Sequence, residues 1–218
     1  MSKNYELIVF DWDGTLMDSA GLIVRCVQAA AVDLGLEPPA EERARHIIGL
    51  GLVDALRHAL PDLSAGHYDH LVERYRHHYL SKDHELELFD GVTGLIERLA
   101  ERDGSLAIAT GKSRRGLDRA LVSSGLGRYF TATRCADECH SKPHPQMLEE
   151  LMDEFAVSPA QTLMIGDTTH DLLMAQNAGV DAIAVSYGAH SHAALQTVPH
   201  RFCAHSVDEL SAWLCRTS

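Results

Sequence analysis

Leu7, Ile8, Val9 and Phe10 form an unbroken apolar run, the pattern of a central parallel strand buried on both faces. Beyond it the hydrophobic period changes. Residues 16–86 read as helical and hold no strong strand. Ile23, Val27, Ala30 and Leu34 share one helical face, with Asp18 or Ser19 as N-cap and Pro38-Pro39 as the stop. Leu52, Leu56, Ala59 and Leu60 mark another helix, ended at Pro61. Tyr68, Val72, Tyr75 and Tyr79 form a third stripe, read as packing.

From Phe89 onward short apolar strands alternate with helices. The spacing predicts a helix through Val92, Leu95, Ile96 and Leu99, a strand over 106–109, a helix over 114–124 and a strand over 129–134. A helix over 145–155, a strand over 162–165, a helix over 169–178 and a strand over 181–186 follow, then a strand near Phe202 and a helix over 207–214. Such alternation implies an α/β fold with a doubly wound parallel sheet, into which the helical stretch is inserted after the first strand. Ligands in these sheets sit beyond the carboxyl ends of the strands. Three predicted strand ends carry polar groups: Asp11 with Asp13, Thr110, and Asp167.

Acids at the mouth of a buried strand are costly without a compensating cation. A divalent metal would supply one, and Mg²⁺ typically takes one or two carboxylates together with substrate phosphate. A plain Asp-Gly turn fits the first stretch about as well. The rest of the chain decides between them, because four spaced motifs occur in order: Asp11-Trp-Asp13-Gly-Thr15, Thr110-Gly-Lys112, Ser141-Lys142-Pro143 and Gly166-Asp167-Thr-Thr-His-Asp171.

This order closely resembles the haloacid dehalogenase superfamily of phosphohydrolases, over nearly the whole chain. The resemblance implies a Rossmann-like catalytic core formed by residues 1–15 and 87–218, with an all-helical cap over 16–86. It implies that the first and fourth core strands lie side by side. Asp11 and Asp167 would ligate Mg²⁺ through their carboxylates and Asp13 through its backbone carbonyl, with Asp171 linked through water or another ligand. Asp11 would be the nucleophile that forms an aspartyl-phosphate, and Asp13 the acid and base. Thr110 and Gly111 would bind phosphoryl oxygens, and Lys142 would meet the negative charge of the transferred group. Asp13 is the residue that phosphatases have and that the dehalogenase and phosphonatase branches lack. Ile48-Gly49-Leu50-Gly51 looks like the specificity loop of phosphoglycolate-phosphatase-like enzymes, with Arg45 read as a surface arginine or as a partner for a substrate carboxylate. Lys112 and Arg114 are read as a helix-start surface pair, and His144 and His170 as solvated groups on the rim. Asp90 stands where the family commonly has a proline before the hinge glycine, here Gly91.

Charge and cysteine usage narrow the partners. A net charge of −12 disfavours nucleic acid and anionic membranes, yet leaves room for a small phosphorylated metabolite at a local site. The N-terminus lacks a signal-peptide pattern and no apolar run approaches the ~20 residues of a membrane span. Five cysteines at irregular spacing suggest free thiols. The expectation is a cytoplasmic, Mg²⁺-dependent phosphatase, monomer or homodimer, acting on a small phosphate monoester. An inorganic pyrophosphatase, a sugar-phosphate phosphatase and a phosphomutase use the same core residues, and a non-enzymatic phosphate- or partner-binding module is the competitor from another class.

Overall fold

The computed structural model describes residues 5–216. Strand β1 (Leu7–Phe10) is followed by four helices: α1 (Ala20–Asp33), α2 (Glu41–His46), α3 (Leu52–Ala59) and α4 (Tyr68–Leu80). They pack on a cluster of their own, built from Val27, Ala30, Ile47, Ala55, Leu56, Ala59, Tyr68, Leu71 and Val72. The chain then alternates α5 (Val92–Ala100), β2 (Ser105–Thr110), α6 (Arg114–Ser124), β3 (Ala132–Cys135), α7 (Gln146–Phe155), β4 (Thr162–Gly166), α8 (Thr169–Asn177), β5 (Asp181–Val185), α9 (His192–Leu195), β6 (Phe202–Ala204) and α10 (Val207–Arg216).

The six strands form one parallel sheet in the order β3-β2-β1-β4-β5-β6. Because successive side chains on a strand point to opposite faces, β1 serves two layers. Ile8 and Phe10 join α5, α6 and α10 in one core, and Leu7 and Val9 join α7 and α8 in the other. This explains the unbroken apolar run. Each fully buried aliphatic side chain contributes about 1.5–3 kcal/mol, and neither face of β1 tolerates a polar residue.

The strand order reverses at β1, so the crevice where such sheets bind ligands opens beside it. Phe10 lies opposite Ile108 of β2 and Ile165 of β4. One residue further, the Asp11 backbone N–H still donates to the Ile165 carbonyl at 2.9 Å. The register therefore brings Asp11, Thr110 and Asp167 to the same edge of the sheet.

Two details differ from the periodicity. The strand expected over 129–134 starts at Ala132, because Gly127–Tyr129 close a 3₁₀ turn and Phe130 packs edge-on against Phe10. Helices α2 and α9 gave no pattern, since they are short and bury only Ala44 and Leu195 respectively.

Candidate active site

The site begins where β1 stops. Asp11 has no exposed surface, and neither have Asp167 at the end of β4 and Asp171 in the first turn of α8. One carboxylate oxygen from each lies within 4.8 Å of the others. Gly14 makes this approach possible: its φ is +81°, and a Cβ there would sit 2.1 Å from Asp167 Oδ2. Asp167 is held by the Ala189 N–H at 2.7 Å and the Thr15 hydroxyl at 2.8 Å. Asp171 closes the N-terminus of α8, accepting from the Thr168 N–H at 3.0 Å and the Thr168 hydroxyl at 2.6 Å.

One cation faces these three acids. Lys142 is buried, with Nζ 2.6 Å from Asp171 Oδ1 and 2.9 Å from Asp11 Oδ1. The second contact is an ion pair without hydrogen-bond alignment, and Asp11 Oδ2 has no hydrogen-bond partner among the described residues. Burial pushes the Asp11 carboxyl up to about 7 against the pull of Lys142, with Asp171 adding to the rise. Asp167 is likewise raised well above the usual carboxylate range, by burial and then by Asp11 and Asp171. Burial alone would lower the Lys142 ammonium, but Asp11 and Asp171 more than offset that and hold it charged. A buried oxygen set with surplus negative charge and an orphaned carboxylate oxygen fits a hard divalent cation.

Asp13 has different surroundings. Ser19 occupies the N-cap of α1, but its hydroxyl donates to Asp13 Oδ1 at 2.7 Å rather than capping the helix. Lys112 Nζ reaches both Asp13 oxygens, at 3.1 and 3.0 Å, and donates to the Tyr79 hydroxyl of α4 at 2.9 Å. Lys112 is therefore no surface residue, as the sequence pattern suggested, but a nearly buried link between α4 and Asp13. Thr110 is buried, and its Oγ1 accepts from the Lys112 N–H at 3.2 Å. Its own hydroxyl proton stays available to a ligand oxygen.

Asp11, Asp13, Thr110, Gly111 and Lys112 open onto a cavity of about 540 Å³. The loop Ile48-Gly49-Leu50-Gly51 lines the same cavity. It lies so close that a Cβ on Gly111 would meet the Leu50 and Gly49 carbonyl oxygens at 2.5 and 2.6 Å. The Gly51 N–H donates to Ser141 Oγ at 2.8 Å, tying the loop to the segment that carries Lys142. Arg45 does not belong here. Its guanidinium pairs with Glu41 one turn back, at 2.9 Å, and it is absent from the cavity lining.

The sequence profile of the haloacid dehalogenase-like hydrolases matches residues 8–185, the stretch that carries Asp11, Asp13, Thr110, Lys112, Lys142, Asp167 and Asp171. The chain belongs to that family. Among curated relatives, the phosphoglycolate phosphatase of Aliivibrio fischeri is 32% identical over 86% of this chain and 87% of its own. A 5′-nucleotidase of Pseudomonas aeruginosa is 33% identical over 92% of this chain and 91% of its own. A solved haloacid dehalogenase-like hydrolase from Bacteroides fragilis shares the fold, with a TM-score of 0.87 at 22% identity, covering 95% of this chain and all of that one. Both curated names are those of phosphate-ester hydrolases, and this family member is a hydrolase of the phosphatase type.

Three features of this hydrolase escaped the sequence reading. Lys112 stands two residues after Thr110, which on an extended segment returns it to the same side; that signal was present. Tyr75 and Tyr79 line the cavity with rings 5.8 Å apart, Tyr75 also packing, as expected, against the cluster that buries Tyr68 and Val72 of the same stripe. Their spacing alone does not separate the two roles. His170 is buried rather than solvated, its Nε2 2.7 Å from the His46 carbonyl oxygen. Only the approach of α2 to α8 decides that. His144 is exposed, as expected, and Arg114 pairs with Glu138 at 2.8 Å outside the cavity.

Proposed function

We propose that the chain hydrolyses a small phosphate monoester with Mg²⁺, through a phosphorylated Asp11. The observation that carries this is the Asp11 carboxylate: fully buried at the cleft floor, with one oxygen unpartnered and the other beside Lys142. An oxygen held in that way is free to attack phosphorus while the lysine takes up charge on the transferred group.

Asp11 and Asp167, with the Asp13 backbone carbonyl, would hold Mg²⁺, which when bound supplies positive charge between the acids and the phosphoryl oxygens. Asp171 then acts on position, since it holds Lys142 and caps α8. Thr110 donates its hydroxyl to a phosphoryl oxygen, and Gly111 leaves room for the backbone of the 48–51 loop. Asp13, steadied by Ser19 and Lys112, gives a proton to the leaving oxygen and later takes one from water.

The helical segment 16–86 acts as a cap whose loop and α4 close the cleft and exclude water. Arg76 of α4 and Arg115 and Arg119 of α6 line the cavity, so a substrate with a second anionic group, as in phosphoglycolate, finds cations there. A 5′-nucleotide is the second reading, favoured by the stacked Tyr75 and Tyr79 rings in the same lining. Five free cysteines suit a reducing, cytoplasmic setting, and no helix among the described residues is long and apolar enough to cross a membrane.

The test is Asp11→Asn with an aryl phosphate and Mg²⁺. Turnover is expected to fall roughly 10⁴-fold or more with an unchanged circular dichroism spectrum, and acid quenching of the wild type is expected to trap phosphate on Asp11. Retained turnover in the variant removes Asp11 from its role.

A further inference from the structure

A second group of ligand-bearing side chains lies away from the cleft, on the edge strand of the sheet. His192 opens α9, Cys203 is the middle residue of β6 and His205 follows β6. One ligand atom from each lies within 4.8 Å of the others. The two imidazole centroids are 5.0 Å apart, and Cys203 Sγ is 3.5 Å from His192 Nδ1. Zinc bonds of about 2.3 Å to sulfur and about 2.0–2.1 Å to nitrogen, at a tetrahedral angle, place those two atoms roughly 3.5–3.6 Å apart. The observed spacing, held here by a direct thiol–imidazole hydrogen bond, is also the one a shared ion takes.

The surroundings agree. Ser186 Oγ lies 2.7 Å from His205 Nδ1 and donates its own proton to the Ala204 carbonyl at 3.4 Å. A hydrogen bond at one ring nitrogen sets the tautomer and orients the ring, as it does for metal-bound imidazoles. Glu209 Oε2 accepts from the His205 backbone N–H at 2.8 Å, which keeps a carboxylate beside the trio. Both histidines are exposed and the cysteine is half-buried, so a fourth position is open to water. Thiolate and imidazole are the donors of a borderline-soft ion, unlike the oxygens of the cleft.

We propose that His192, Cys203 and His205 bind a zinc-class divalent transition ion, at a site separate from the acidic cleft. The ion would tie His192, part-way along the connection between β5 and β6, to β6 and the residue that follows it. That connection carries Ala189, whose N–H holds Asp167 at 2.7 Å, and Tyr187, whose hydroxyl donates to the Thr15 carbonyl at 3.2 Å. Filling the site therefore steadies the segment that cradles Asp167, without touching substrate.

The experiment uses the full chain in excess Mg²⁺, so that the oxygen-lined cleft is occupied, with Co²⁺ as a coloured probe. A thiolate-to-cobalt charge-transfer band is expected, saturating at one ion per chain and displaced by Zn²⁺. It should vanish in Cys203→Ser, and the apparent Kd should rise roughly tenfold or more in His192→Ala and His205→Ala. Zn²⁺ should raise the Tm of the wild type and leave that of Cys203→Ser unmoved, while the Mg²⁺-dependent hydrolysis of the two proteins stays equal. Absence of the thiolate band, its survival in Cys203→Ser, or an equal Zn²⁺-induced Tm shift in both proteins overturns the proposal.

Discussion

Strand β1 and helix α4 both border the cleft, and they use their side chains in opposite ways. Every side chain of β1 is committed to packing, Ile8 and Phe10 to one layer and Leu7 and Val9 to the other. Only the residues just past its end reach the cleft. Helix α4 buries Tyr68, Leu71 and Val72 and sends Tyr75, which also packs against their cluster, with Arg76, Tyr79 and Leu80 to the cavity. The strand thus presents a few acids at positions set by the sheet register. The helix presents a longer, mixed surface that can change without disturbing the sheet. Chemistry placed by the first and selectivity placed by the second is the division this difference supports.

The comparison breaks most visibly at Lys142. Lys142→Met leaves the buried acids without their cation, which costs about 3–5 kcal/mol of stability for a broken buried pair. The same change lowers kcat by roughly 10²–10³-fold. Urea unfolding in Mg²⁺ measures the first effect and aryl phosphate kinetics the second. A loss of turnover with no loss of stability, or the reverse, would mean that the lysine serves only one purpose.

Removing the metal tests the acids as a group. Burial raises the Asp11 pKa from its ordinary 3.8 to about 7, so the folded, metal-free chain keeps a proton that the unfolded chain releases above pH 3.8. Unfolding then releases protons, and the contribution of this group to stability falls as pH rises between 3.8 and 7. A cation offsets the charge that develops. Chelation is therefore expected to lower Tm more at pH 8 than at pH 5.5, as read by calorimetry. An equal drop at both values would separate metal binding from the ionisation of the acids.

On the helical side the effects are smaller. Tyr79→Phe removes one hydrogen bond to Lys112, worth about 1 kcal/mol, and should raise KM roughly fivefold while kcat stays within a factor of about two. A fall in kcat instead would move Tyr79 from the selectivity surface to the chemistry. Smallest of all is Arg45→Ala. Its exposed pair with Glu41 contributes about 0.3–0.5 kcal/mol, and steady-state kinetics should not distinguish the variant from wild type.

The alternation of strands and helices after Phe89 was readable because β2, β4 and β5 are short apolar runs bounded by polar or glycine positions, whereas β3 carries Thr133 and Arg134 and its start was misplaced. Three of the ordered motifs fall at the ends of β1, β2 and β4 and stood out for a related reason: acids directly after buried apolar residues are costly. Lys112, Tyr79 and His170 were not readable in the same way. Lys112 and Arg45 are both cations near motif or loop residues, yet one meets Asp13 and Tyr79 and the other meets Glu41 on its own helix.

From the residues alone came the parallel sheet, because buried strands must be apolar on both faces, and the family, because its acids, threonine and lysine recur in order. The meeting of Asp11, Asp167 and Asp171 in one buried volume came from the sheet order and the capping turn of α8, which join segments over 150 residues apart in sequence. The fold likewise decided that Lys112 faces inward and Arg45 outward. A side chain's partner depends on which segment packs against it, and local pattern carries no record of that.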